Sequence, residues 1–133
     1  MYATQKNQLR RLNKQEFNAL LALCRLSKNL FNVALFECRQ YFFNERKRLT
    51  YESNYHLCKS NENYRLLNTD IAQQTMKIVD RSMKSFLGLL KAIGIGRCDA
   101  ARSADRPASA RLPNYLPKFG YFPLIIPRIR LKD

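Results

Sequence analysis

At 133 residues the chain is long enough for one domain with a core of its own and too short for two full domains. Lys and Arg total 24 against 10 Asp and Glu, a formal charge of +14 that exceeds what solubility requires and points to a polyanionic partner, whose phosphates release counterions on binding. The four cysteines form no C-x-x-C pair, and no signal-type run or span of about 20 apolar residues is present, which argues against a zinc site and a membrane partner and predicts a cytoplasmic protein; no small-molecule substrate and no cofactor are expected.

Residues 1–13 are polar and basic and read as a lead-in with a short N-terminal strand. Arg10 and Arg11 within it are candidate phosphate contacts. Asn13 and Glu16 have capping-box spacing directly before the apolar rhythm Phe17, Leu20, Leu21, Cys24 and Leu26, so a helix is expected from about Lys14. Ser27 and Asn29 either break that helix or decorate it. The rhythm resumes through Leu30, Phe31, Ala34, Leu35, Cys38, Tyr41 and Phe42, predicting a second helical stretch to about Arg48, with Glu45, Arg46, Lys47 and Arg48 as its exposed end. Lys14, Lys28 and Arg39 add cations for phosphate.

Thr50-Tyr51-Glu52-Ser53 opens a further short helix that carries Tyr55, Leu57 and Cys58. Ser60 to Asn63 reads as a turn, because such side chains compete for backbone hydrogen bonds. Asn68 or Thr69 then caps a long helix that fades between Lys91 and Gly94, and Asp70 in its first turn suits the helix dipole. Its apolar stripe is Ile71, Thr75, Ile78, Val79, Ser82, Phe86 and Leu90. Gln73, Gln74, Lys77, Arg81 and Lys84 fall largely off that stripe, where amides can read base edges and cations can follow phosphate. Residues 14–92 therefore read as a helical nucleic-acid-recognition lobe.

Residues 93–111, rich in Ala, Ser and Arg, read as a flexible linker. Gly94-Ile95-Gly96 follows no strand and precedes no Gly-Lys-Ser/Thr, so it is not a phosphate loop. Residues 112–133 read as an extended arm with a turn at Gly120 and then a strand through Tyr121, Phe122, Leu124, Ile125, Ile126 and Ile129. Pro123 and Pro127 confine that strand to an edge. Its pairing partners are not evident, so this stretch looks like the start of an incomplete domain. Tyr2, Tyr51, Tyr55 and Tyr115 could stack on exposed bases, and Lys118 joins Tyr115 on the arm as a candidate contact. The expected class is mainly α, with short β-strands near both ends.

The charge is uneven: ten basic and three acidic residues in 1–50, six and four in 51–92, eight and three in 93–133. Both ends are thus favoured for phosphate. The acidic residues stand singly, and Asp70 and Asp80 lie too far apart along one helix to share the metal pair of a phosphodiester nuclease. No Ser-His-Asp or Cys-His arrangement is evident. An enzyme active site within this chain is not expected.

Several strings in order carry more than composition does: Arg25–Leu35 (RLSKNLFNVAL), Tyr51–His56 (YESNYH), Asn61–Tyr64 (NENY), Ile71–Gln74 (IAQQ) with Asp80–Phe86 (DRSMKSF), and Leu112–Lys118 (LPNYLPK). They resemble the N-terminal third of the TnpB (OrfB) proteins of bacterial insertion sequences, often described as transposases, across most of residues 8–92 and again about 111–130. The resemblance implies an RNA-guided DNA endonuclease lineage, with a setting in transposition and DNA recombination. It further implies a helical recognition lobe, inserted in a small wedge-type β domain, that contacts a duplex motif and the guide-target hybrid. By position, Tyr51, Thr69 and Gln73 resemble residues facing the duplex motif, with Lys77, Arg81 and Lys84 following toward backbone phosphate. The family's RuvC-like core and zinc ribbon would fall beyond Asp133, and residues 93–111 fit the family poorly. The expectation is a truncated TnpB-like protein that binds guide RNA, target DNA or both without cutting. The alternatives are one part of a split RNA-guided endonuclease, or a helical protein-interaction module with an incidental basic surface.

Overall fold

The computed structural model describes residues 8–92 and 112–125. The protein is mainly helical, with α1 (Lys14–Glu45), α2 (Tyr51–Cys58), α3 (Glu62–Arg65) and α4 (Thr69–Ala92) in chain order. Asn13 and Glu16 form the capping box: the Asn13 Oδ1 accepts from the Glu16 N–H at 2.8 Å and the Glu16 carboxylate accepts from the Asn13 N–H at 3.1 Å. From there α1 runs unbroken for 32 residues, so the two expected stretches are one helix. Ser27 does not interrupt it, because its hydroxyl meets the Thr75 hydroxyl of α4 at 3.2 Å instead of competing for the backbone. The helix stops at Arg46, which takes a left-handed conformation (φ 55°) and donates its N–H to the Phe42 carbonyl at 2.8 Å.

Thr50 caps α2, accepting from the Ser53 N–H at 3.3 Å. Asn54 then fastens α2 to α1, donating to the Ala34 carbonyl at 3.2 Å and meeting the Cys38 sulfur at 3.3 Å, while the Cys58 thiol donates back to its Oδ1 at 3.3 Å. The expected turn at Ser60 to Asn63 holds through Asn61, and the single turn of α3 takes over at Glu62, with the Asn61 side chain accepting from the Asn63 N–H. Asn68 opens α4 by accepting from the Asp70 N–H at 3.0 Å. Ser27 lies opposite Thr75, and further on Phe42 meets Phe86 edge-on with centroids 5.6 Å apart. Hence α1 and α4 run parallel, and α2 with α3 is the return leg between them.

The core is built from Leu30, Ala34, Leu35 and Cys38 of α1, Cys58 of α2, and Ala72, Met76, Val79, Met83 and Phe86 of α4. On α4 this corrects the expected stripe. Thr75, Val79 and Phe86 are buried as read, but Ile71, Ile78, Ser82 and Leu90 are only half-buried, and Ala72, Met76 and Met83 take the centre. The cause is two-sided packing: α1 covers one flank of α4 and α2–α3 the other, so the buried arc is wider than one neighbour would make it. An 18-residue window of α1 is long and apolar enough by composition to cross a membrane (mean hydropathy 1.3), and 33% of it is buried inside the fold.

The expected strands are absent among the described residues. Residues 8–13 are irregular and exposed, and residues 112–125 form an extended arm with one turn, closed by the Gly120 N–H donating to the Pro117 carbonyl at 2.9 Å. The arm lies antiparallel along α1. The Asn32 side chain both donates to the Leu116 carbonyl (3.1 Å) and accepts from its N–H (2.8 Å), and the Phe122 N–H donates to the Cys24 carbonyl at 3.1 Å. Phe122 stacks on Phe31 with centroids 5.0 Å apart. The β-forming side chains Phe122 and Leu124 are thus satisfied by packing on a helix, while Pro113, Pro117 and Pro123 leave gaps in any ladder. Residues 1–7, the predicted linker 93–111 and the strand positions Ile126 and Ile129 lie outside the described residues.

Candidate nucleic-acid interface

Helical spacing places Tyr51 and Tyr55 one turn apart on α2, and Gln73 and Lys77 one turn apart on α4. Because α2 returns antiparallel to α4, the two pairs face each other. With Glu52 and His56 they line an open cleft of about 380 Å³, in the size range of small-ligand sites. The Lys77 ammonium sits 5.9 Å from the Tyr51 ring centroid, and the His56 ring meets Tyr55 edge-on at 5.5 Å. Burial, then the neighbouring Tyr64, Tyr55 and Glu52, pushes the Tyr51 hydroxyl above its ordinary value of 10.0, so it remains a neutral donor at physiological pH. Behind the cleft Tyr64 is buried, its ring edge-on to Tyr55, and its hydroxyl has no hydrogen-bond partner.

The remaining positions on α4 divide by helical phase. Thr69 is exposed one turn before Gln73, and Arg81 and Lys84 continue the same side toward the C-terminus. Arg81 is exposed. Lys84 is bound at 3.1 Å to Asp80, which also receives Arg48 at 2.6 Å, so its charge is already shared. Gln74, a third of a turn away, is half-buried and does not line the cleft.

Two expected phosphate contacts are corrected. Lys28 is only 6% exposed and donates its ammonium to the Lys118 carbonyl at 2.7 Å, so it fastens the arm to α1. Arg39 does the same one end further along, donating to the Pro113 carbonyl at 3.1 Å with its guanidinium 4.7 Å from the Tyr115 ring centroid. Tyr115 and Lys118 are exposed on the arm against α1, whereas the cleft lies between α2 and α4, so these two are not brought together with Gln73 and Lys77. Arg10, Arg11 and Lys14 are exposed ahead of and at the start of α1, and Arg11 has a left-handed backbone (φ 61°).

Among the described residues no group of three or more His, Cys, Asp and Glu is arranged to hold a metal ion. His56 and Cys58 diverge: His56 is exposed at the cleft, and Cys58 is buried on Asn54. What the sequence reading missed are the cations Arg46, Lys47, Arg48 and Lys91, which the parallel helices gather at one end of the molecule. Their signal was the Glu45 to Arg48 run, which alone resembles any solvated helix end. Family models, curated proteins and solved structures all give no match to this chain.

Proposed function

We propose that this chain binds nucleic acid, with a base entering the cleft between α2 and α4 and the strand's backbone following Lys77 and Arg81. The partners are a guide-type RNA and duplex DNA, in the manner of the recognition lobe of the TnpB (OrfB) proteins that the sequence resembles. The observation that carries this reading is the facing of Gln73 and Lys77 toward Tyr51 and Tyr55 across an open cleft, on a chain of charge +14. An amide can pair with a base edge, ring faces can stack, and the ammonium can meet the adjoining phosphate. The chain's own chemistry is recognition, with no hydrolytic step assigned to its residues.

Fluorescence anisotropy with a labelled RNA and a labelled duplex DNA, over a series of salt concentrations, tests it. Gln73→Ala should cost about 1–3 kcal/mol at one base position. Arg81→Ala should weaken all sequences alike and lower the salt slope by about one. Association of neither nucleic acid at modest ionic strength would overturn the proposal. A second reading, a helical protein-interaction module, is favoured by Leu9, Leu12 and Phe17, which stay exposed on and before the first turns of α1. It requires binding to a protein partner that salt does not weaken.

A further inference from the structure

Because α1 and α4 run parallel, both C-termini and the α1–α2 turn meet at one end of the molecule. There Arg46, Lys47, Arg48, Lys84 and Lys91 surround a groove of about 550 Å³ floored by Leu87, Gly88 and Leu90. Cations near helix C-termini have a structural use, since each end carries a partial charge of about −0.5. That use is too small here. Two ends need about one unit, Asp80 neutralises one more by taking Arg48 and Lys84 together, and Glu45 beside Arg46 offsets a third, so among the described residues about two of the five charges are left over. Among the described residues Arg46, Lys47 and Lys91 have no carboxylate at salt-bridge distance.

Two residues in this groove also contradict the backbone they occupy. Arg46 adopts the left-handed conformation (φ 55°) that glycine takes most easily after a helix, and so holds a cation at the rim where a glycine would be less strained. Gly88 sits inside α4, where alanine favours the helix, and a Cβ there would meet nothing within 4 Å, so no packing neighbour demands the glycine. An arginine at a glycine position beside a glycine at an alanine position gives the groove a charged rim and leaves its floor open at Gly88. Such local departures from propensity are expected at functional sites.

We propose that this groove binds the sugar-phosphate backbone of a nucleic acid without regard to base sequence, as a second contact separate from the cleft. The inference rests on the nucleic-acid reading above. Gln73, Lys77, Arg81, Lys84, Gly88 and Lys91 recur at helical spacing along one side of α4. From Lys77 to Lys91 this is about 21 Å at the helical rise, or about six phosphates of one strand. One strand of that length spans both sites, reading a base at one end and gripping phosphate at the other.

The test uses Arg46→Gly and Gly88→Gln, each chosen to relieve the backbone conflict, and the pair Lys47→Ala with Lys91→Ala. The probes are fluorescein-labelled oligouridylate and a mixed-sequence DNA duplex, each titrated across a salt series, with a thermal melt of every variant. Arg46→Gly and Gly88→Gln should melt no lower than wild type and yet bind both probes more weakly. Removing Arg46, Lys47 and Lys91 together should reduce the salt slope by about two to three units, at about 0.7–0.9 per phosphate lost. If wild type binds and these variants match it in affinity and slope, the groove inference is overturned while the cleft reading stands. If wild type binds neither probe, both are overturned.

Discussion

Ser27 and Thr75 form a polar contact inside an otherwise apolar seam, both fully buried, with the Thr75 hydroxyl also donating to the Ile71 carbonyl at 3.0 Å. Removing one partner strands the other without water. Thr75→Val should therefore cost about 1–3 kcal/mol in urea unfolding, and adding Ser27→Ala should recover part of that loss, since no orphan hydroxyl then remains. A second residue-scale consequence concerns the thiols. Burial, followed by the nearby Asp80, raises Cys38 from 9.0 to about 12, and burial followed by Glu37 raises Cys58 from 9.0 to about 11. Both are neutral in folded and unfolded chains below pH 9, so their stabilising share is intact there. Between about 9 and the raised values the unfolded chain ionises first, and stability falls as pH rises. Alkylation by iodoacetamide at pH 8 should leave both thiols unmodified in the native protein and modify them readily in urea; rapid native labelling would show that the Asn54 cluster is open.

At the scale of elements, the caps were legible because they are local. Asn13 with Glu16, Thr50 and Asn68 each declare a helix start within a few residues, and the structure uses all three. Register and pairing were not legible, because they depend on what covers each face. The centre of the α4 stripe moved to Ala72, Met76 and Met83 once a second neighbour was present, and Ser27, ambiguous alone, became part of the seam once Thr75 stood opposite. The arm shows the same limit more sharply. Phe122 and Leu124 favour a strand by composition, yet nothing local announces that Asn32, Lys28 and Arg39, at distances of 74 to 90 residues in sequence, would hold it against a helix. Asn32→Ala should loosen the arm at its midpoint and lower stability by about 1–3 kcal/mol while leaving helical content unchanged by circular dichroism.

At the scale of the molecule, cations among the described residues differ in what they already hold. Lys28 and Arg39 are consumed internally by the arm, and Lys84 and Arg48 are shared with Asp80, whereas Lys77, Arg81, Arg46, Lys47 and Lys91 line or flank the α4 side. Composition announces the surplus and cannot say which cations remain unpaired at the surface. The Gln73 and Lys77 side of the cleft was legible from helical phase on α4; Tyr51 was set beside Gln73 only by the resemblance, and Tyr55 joins them only through the return of α2 along α4. That difference makes a global prediction. Lys28→Met should leave RNA and duplex affinity and the salt slope unchanged, although Lys28 is a cation like Arg81; a slope lowered by about one would mean that the arm lifts and exposes it.

The arm has one more consequence. Its described backbone amides are held at scattered points: Leu116 by Asn32, Gly120 within the turn and Phe122 by Cys24, with prolines at three places between and beside them. A β-ladder would shield alternate amides as a set. Here deuterium uptake should be slow at isolated sites set among rapidly exchanging neighbours, so the segment peels away one stitch at a time instead of in a single cooperative step.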